Sequence, residues 1–560
     1  MKMERLKLGD LLLQAGMITE EQLNWALDYQ KTTGKRLGDI LQEQGWLDEV
    51  EILEALEYQL GIPYLELAKQ SIEQSAAQKI PEAIARRYVL VGIEVENKKL
   101  KVAMSDPLNV YALDDLKIST GMDIIPVISS KKEILLALNQ VYASAKTSDI
   151  VNQVEKEIDS EKSAKSEMDD LVTAENNSAM VQLVNNIIQR SVLSGASDIH
   201  IEPFETKVRI RYRVDGQLQK IMTTKKETLN PLTARIKIMA GLDIAERRLP
   251  QDGRIATSVE DKQVDLRVSI LPTIYGEKTV IRIMYRDGIS LSLEQLGFHP
   301  EDLEKFKNLL RNPHGIILVT GPTGSGKSTT LAAALKVLNK ENVNIITAED
   351  PVENMIDGVN QVAINTKIGL TFASTLRSIL RQDPDIVMIG EMRDGETSSI
   401  AIRAAITGHL VLSTLHTNDA VSSVIRLIDM GTEPFMVGAS VKGIVSQRLV
   451  RRICPNCKVE HSITHAEELV YKVPEGTRVY KGLGCNMCNN LGYKGRLAVH
   501  EIFMIDSAMQ ELIGKEGMTA DKLKEEAINR GMRTMWENAY YNVLAGNTTV
   551  EEMLRIAYEQ

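Results

Sequence analysis

The chain has 560 residues, 43% of them hydrophobic and 25% charged, and a formal net charge of −10. That length exceeds what one hydrophobic core holds and predicts three or four domains, while the acidic balance argues against broad nucleic-acid binding. There is no apolar run of about 18 residues or more, and Met1–Lys7 leads into no apolar core, so neither a membrane span nor a secretory signal is expected and the chain reads as cytoplasmic.

Residues 7–30 recur as residues 36–59. Leu8-Gly9-Asp10 matches Leu37-Gly38-Asp39, and Ala26-Leu27 with Tyr29-Gln30 matches Ala55-Leu56 with Tyr58-Gln59. Thr19 with Gln22, and Asp48 with Glu51, have the spacing of capping boxes, so each copy predicts a short helix, a glycine turn and a longer helix. Such repeats usually serve architecture alone. This module spans residues 1–62. Residues 63–143 form a second small unit of mixed α/β type. Val89–Val95 and Leu100–Met104 read as strands around a turn at Asn97-Lys98, and 115–142 as helix, strand and helix. Residues 144–170 are rich in Ser, Lys, Glu and Asp and predict a solvated linker or partly helical tether.

A middle domain is expected over 171–287. Val181, Val184, Ile187 and Ile188 have helical spacing. Val208-Arg-Ile-Arg-Tyr-Arg-Val214 then alternates apolar residues with arginine, the mark of a half-buried strand with one cationic face. Arg267 and Arg282 stand on two further strands of the same kind. A charged sheet face is usually only solvated, but five arginines on adjacent strands also suit a phosphate. Pro250-Gln-Asp-Gly-Arg254 predicts a turn carrying another arginine.

The last domain covers 297–560. Gly315-Ile-Ile-Leu-Val-Thr320 is an apolar run suited to a parallel strand, and Gly321-Pro322-Thr323-Gly324-Ser325-Gly326-Lys327-Ser328 fills the phosphate-loop pattern G-x-x-x-x-G-K-[ST] in full. The glycines let backbone N–H groups face phosphates. Lys327 can reach the β- and γ-phosphates of ATP, and Ser328 can offer its hydroxyl to Mg²⁺. Thr329 continues into a helix whose Leu331, Leu335 and Leu338 share one face and whose N-terminus favours an anion. Further strands deliver Glu349 and Asp350, then Gly390-Glu391, at the strand ends where parallel-sheet active sites lie. A third strand is bracketed by His409 and His416. Finally, Cys454-Pro-Asn-Cys457 and Cys485-Asn-Met-Cys488 supply four thiols for one tetrahedral Zn²⁺, with an intervening subdomain, together spanning about 450–500. Redox chemistry is the competing reading.

The phosphate loop, I-T-A-E-D-P-V-E, R-Q-D-P-D-I-V-M-I-G-E and T-G-H-L-V-L-S-T-L-H-T-N-D together resemble the type II secretion and type IV pilus ATPases, most densely over 178–558. The N-terminal repeat resembles the nucleotide-binding module of such ATPases, which in some members takes cyclic di-GMP. The resemblance implies an α/β multidomain fold, with a RecA-like motor after a PAS-like middle domain and the helical repeat module. It implies a hexameric cytoplasmic ATPase at the inner face of the cytoplasmic membrane, working on an inner-membrane platform protein. The tetracysteine site and long N-terminal region resemble the pilus-extension branch, with the type II secretion ATPase as the alternative. Carried over by motif, Glu349 polarises the attacking water, Glu391 supports Mg²⁺ through water, and His416 senses the γ-phosphate. Arg267 and Arg282 reach that phosphate from a neighbouring subunit. Cyclic di-GMP would meet Arg36, Leu37, Gly38 and Gln59 in the stronger half-site and Lys7, Leu8, Gly9 and Gln30 in the weaker. Lys7 stands where the motif has arginine, and it lacks arginine's planar two-pronged hydrogen bonding.

Overall fold

The computed structural model describes residues 8–67, 70, 72–161, 178–259, 262–285, 291–515 and 517–558. The chain divides into two compact units. The first holds residues 1–169, 176–186 and 483–492, and the second holds 170–175, 187–482 and 493–560.

In the first unit the repeat forms helices Leu8–Gln14, Glu20–Thr33, Leu37–Glu43 and Glu49–Leu60. Both capping boxes close, Thr19 with Gln22 and Asp48 with Glu51. Gly16 and Gly45 make the turns at φ of 71° and 69°, where a side chain is disfavoured. Gly9 and Gly38 have a different cause. They lie inside the short helices, where a Cβ would stand 2.6 Å from Leu23 and 3.0 Å from Ile52. The equivalent pairs in the two copies let each short helix close on its long one.

The α/β part follows with strands β1 (Leu90–Glu96), β2 (Lys99–Met104) and β3 (Asp123–Ile128). β1–β2 is antiparallel and β2–β3 parallel. Asn97 and Lys98, both at positive φ, make the tight turn. The helix Lys131–Glu161 runs through much of the stretch whose composition suggested a linker, of which 162–170 lies outside the described residues. Its anchors are a few residues held by distant parts of the chain. The Tyr142 hydroxyl donates to the Ala77 and Ile80 carbonyls at 3.0 and 2.6 Å, and Val154 is buried.

The second unit opens with an antiparallel sheet of β4 (Asp198–Pro203), β5 (Lys207–Val214), β6 (Gln217–Lys225), β7 (Gln251–Val259), β8 (Lys262–Thr273) and β9 (Gly276–Tyr285), in the order β6-β5-β4-β9-β8-β7. Ile199, Ile201, Ile210, Tyr212, Leu266 and Ile281 are buried, and the arginines alternate with them. The turn expected at Pro250–Arg254 is instead the start of β7. Gly253 pairs with Val268, and a Cβ there would meet the Ala240 carbonyl at 2.8 Å, so this glycine serves close packing on the helix Leu229–Ala240.

The motor strands are β10 (Gly315–Thr320), β11 (Ile345–Glu349), β12 (Asn360–Ala363), β13 (Ile386–Ile389), β14 (Leu410–Leu415) and β15 (Val441–Ile453). A small pair, β16 (Lys458–Ser462) and β17 (Arg478–Gly482), precedes β18 (Tyr493–Met504). The main sheet runs β12-β11-β13-β14-β10-β15-β18, parallel except for β15–β18. Ile316 and Leu318 enter one core with the helices Phe372–Ile379 and Gly395–Ile406. Ile317 and Val319 enter the opposite core with the helices Pro300–Leu310 and Lys327–Leu338. Both faces are covered, which is why β10 reads as an unbroken apolar run. Rigid strands thus carry their C-terminal ends, and the side chains there, to one edge of the sheet.

Candidate active site

β10 delivers the chain into the glycine loop. Gly321, Gly324 and Gly326 have φ of 142°, 80° and 87°, so the loop adopts backbone that other residues resist. Lys327 is 9% exposed, and its Nζ donates to the Gly321 and Pro322 carbonyls at 2.8 and 2.9 Å. Burial lowers its pKa, against the pull of Glu391 and Glu353. Ser328 is exposed on the first turn of the helix. Gln447, on neighbouring β15, braces the loop from below. Its Nε2 donates to the Ser325 carbonyl at 2.7 Å, and its Oε1 accepts from the Thr330 hydroxyl at 2.6 Å. Sequence reasoning passed over it, because Ser446-Gln447-Arg448 is a polar run whose burial only the fold reveals.

Glu349 ends β11 and is 9% exposed. Its Oε1 accepts from the Thr347 hydroxyl at 2.7 Å and from Gln361 Nε2 at 2.9 Å. Neither donor was singled out from sequence. Glu391 follows β13, pairs with Arg393, and lies 3.5 Å from His416 Nε2 at the end of β14. The stretch ending in Gly390-Glu391 and the strand bracketed by His409 and His416 are therefore brought together at Glu391 and His416. His409 has a different place, with its Nδ1 3.0 Å from the Ala404 carbonyl at the end of the preceding helix. The loop after His416 is tied down by Glu501, fully buried on β18, which accepts from the Ala420 and Met535 N–H groups at 3.0 and 3.1 Å. Burial pushes its carboxyl up.

The cationic face forms a row across the middle sheet. In register, Arg254 faces Arg267, Arg267 faces Arg282, Arg282 faces Asp198, and Asp198 faces Arg213. Arg282 Nε donates to Asp198 at 3.2 Å and Arg254 pairs with Asp265, while Arg267 makes no ion pair among the described residues. The cleft at Pro322–Ser325 is lined from the middle domain by Asp215 and Gly216, not by Arg267 or Arg282. Asp215 holds that turn on β18, accepting from Gly495 N–H at 2.8 Å.

Cys454, Cys457, Cys485 and Cys488 are all buried, and Cys485 Sγ lies 3.6 Å from Cys488 Sγ. Cys488 Sγ accepts from the Cys485 and Gly492 N–H groups, each at 3.2 Å. The pair β16–β17 fills the sequence between the two cysteine pairs. In the repeat, Arg36 sits at the start of the helix Leu37–Glu43 and pairs with Asp106 at 2.7 Å. Leu8 and Gly9 fall on the first short helix, Leu37 and Gly38 on the second. Gln30 and Gln59 lie on the long ones, with Gln30 Nε2 donating to the Lys35 carbonyl at 3.0 Å. Lys7 lies outside the described residues.

A mainly parallel sheet with a phosphate loop after an interior strand and carboxylates at the ends of other strands of the same sheet defines a P-loop nucleoside triphosphatase. The family model "Type II/IV secretion system protein" matches residues 173–555, and the chain belongs to that family and is an ATP hydrolase. A second model, "MshEN domain", matches residues 60–148, the α/β part that follows the repeat. The type IV pilus assembly ATPase PilB of Myxococcus xanthus is 43% identical over 556 residues, 98% of each chain. The type II secretion system ATPase E of Vibrio cholerae is 40% identical over 504 residues, 88% of this chain and 99% of that one. In fold, the chain is similar to the Legionella pneumophila ATPase DotB, with a TM-score of 0.52 at 20% identity, covering 67% of this chain and 95% of that one. Among the described residues, no helix is long and apolar enough to cross a membrane.

Proposed function

We propose that this protein is a hexameric motor that uses ATP hydrolysis to assemble a type IV pilus at the inner face of the cytoplasmic membrane, acting on an inner-membrane platform protein. The observation that carries this reading is full-length similarity. The match to the pilus assembly ATPase of Myxococcus xanthus takes in 98% of both chains at 43% identity, repeat module included, and the match to the type II secretion ATPase E of Vibrio cholerae takes in 88% of this one at 40%.

Within the site, Lys327 would exchange its two loop carbonyls for phosphate oxygens. Ser328 and Glu391 would hold Mg²⁺, and their placement fits: Ser328 is exposed on the turn beside Lys327, and Glu391 is close enough to act on the Lys327 charge. The metal would neutralise phosphate charge. Glu349 would take the proton from the attacking water, and His416, beside Glu391, would report on the γ-phosphate. Arg267 and Arg282 would meet that phosphate from a neighbouring subunit. Directly opposed like charges destabilise a sheet, so the arginine row gains from an incoming anion.

The four buried thiols suit a closed structural Zn²⁺ site, with backbone N–H groups supporting a thiolate at Cys488. The repeat would bind cyclic di-GMP, with Arg36 of the complete copy as its main phosphate contact. Deleting the gene and counting surface pili by electron microscopy tests the central role. Loss of pili with intact protein secretion is expected, and intact pili with lost secretion would favour the type II secretion ATPase.

A further inference from the structure

Gln361 stands on the edge strand β12, opposite Thr347 of β11 in the parallel register. Its amide is held at both ends. Oε1 accepts from Ile356 N–H at 2.8 Å, and Nε2 donates to the Asn354 carbonyl and to Glu349 Oε1, each at 2.9 Å. A flipped amide would set its carbonyl against an acceptor and its N–H₂ against a donor, so these contacts admit one orientation. The Thr347 hydroxyl reaches the same Glu349 oxygen at 2.7 Å.

We propose that Gln361 is a positioning residue for hydrolysis, which together with Thr347 pins Oε1 of Glu349 and leaves Oε2 to take the proton of the attacking water. The inference rests on Glu349 being the general base. The terminal torsion of a glutamate is broad and two-fold, so an unheld carboxylate samples many orientations. Two donors converging on one oxygen remove that freedom, since a quarter turn of the carboxylate breaks both bonds and a half turn only exchanges its two equivalent oxygens. The proton moves from water to Oε2 as the water oxygen bonds to the γ-phosphorus and the bond to the ADP oxygen breaks. Base and water must then lie within hydrogen-bond reach. Gln361 also holds Asn354 and Ile356, in the segment leaving β11, so that segment and the carboxylate keep one geometry.

The test uses the full chain. Gln361→Met keeps the side-chain length and removes the donor, and Thr347→Val removes the other donor at nearly constant shape. Misplacing a reacting group by about 1 Å costs on the order of 10²-fold, so kcat of Gln361→Met is expected to fall roughly 10- to 100-fold with KM for ATP within about twofold. Thr347→Val is expected to lose less, again at unchanged KM. In single turnover, adding Gln361→Met to Glu349→Gln should cost nothing further, because no base remains to be positioned. The proposal is overturned if both donor variants keep the parent kcat, if kcat and KM change together, or if Gln361→Met costs the same factor with and without Glu349. Should Gln361→Met fail to fold, Thr347→Val decides by the same kcat and KM criteria. Full turnover by Glu349→Gln would remove the base assignment itself. An inactive Glu349→Gln beside normal donor variants removes only the positioning role.

Discussion

His500 offers a quantitative test of how the motor core is built. It is 2% exposed on β18 and stacks on Phe298, with ring centroids 3.6 Å apart and planes 9° from parallel. Neither ring nitrogen has a hydrogen-bond partner among the described residues. Burial lowers its pKa to about 3, against an ordinary value of about 6.5. The folded value lies below the unfolded one, so the fold requires the neutral ring. Its contribution is complete above about pH 6.5 and is lost as pH falls toward 3. Each unit is worth about 1.4 kcal/mol, which makes the loss between pH 7.5 and pH 5 about 2 kcal/mol. His500→Phe keeps the stack and removes the titration. Glu501 has the opposite sign: burial raises its carboxyl, so its contribution is present at low pH and lost as pH rises through the raised value. It is common to both proteins and cancels in the difference. Urea unfolding of parent and variant at the two pH values measures that difference. The parent should lose about 2 kcal/mol more than the variant on acidification. Equal losses would mean that His500 accepts its proton inside the fold, and the account of a dry, neutral ring would be wrong.

Three further outcomes follow from the sites. Lys327→Ala should abolish steady-state ATP turnover, because no other cation is buried within the glycine loop; turnover at the parent rate would contradict the assignment. Metal analysis should find about one Zn²⁺ per chain. Cys454→Ser should lower the melting temperature before it weakens ATP binding, and metal-free protein of unchanged stability would refute the site. Calorimetry on the full chain should show cyclic di-GMP binding that Arg36→Ala abolishes, and no heat at high-micromolar ligand would leave the repeat as a packing module.

The parts of the fold legible in the sequence are those with a local cause. β10 is covered on both faces and so is apolar throughout, and the loop at Gly321–Ser328 needs glycine wherever its φ is positive. The arginine-bearing strands show through their period of two. The capping boxes at Thr19 and Asp48 mark the starts of the long repeat helices. What escaped depends on distant neighbours. β12 has four residues and no periodicity, so nothing local shows that Gln361 lies beside Thr347. Gly253 looks like a turn until the Ala240 carbonyl is seen against it. The helix reaching Glu161 is polar in composition, yet Tyr142 and Val154 anchor it. In the site, the carboxylates were visible at strand ends, while the meeting of Glu391 with His416 required the order of β13 and β14 in the sheet.

The proposed function requires two subunits for catalysis, one giving the phosphate loop and the other the arginine row. A mixing experiment tests it most directly. Lys327→Ala chains and Arg267→Ala/Arg282→Ala chains, each inactive alone, are combined, and steady-state ATP turnover is measured alongside the composition of the assemblies. A trans arrangement sets an intact phosphate loop against intact arginines at some interfaces of a mixed ring, because an arginine supplied by a partner stabilises the charge on the transferring phosphate. Mixing should therefore restore part of the parent activity. Mixed hexamers that form and stay inactive would place the arginines in the same chain's site, or in a structural role alone, and would contradict the account.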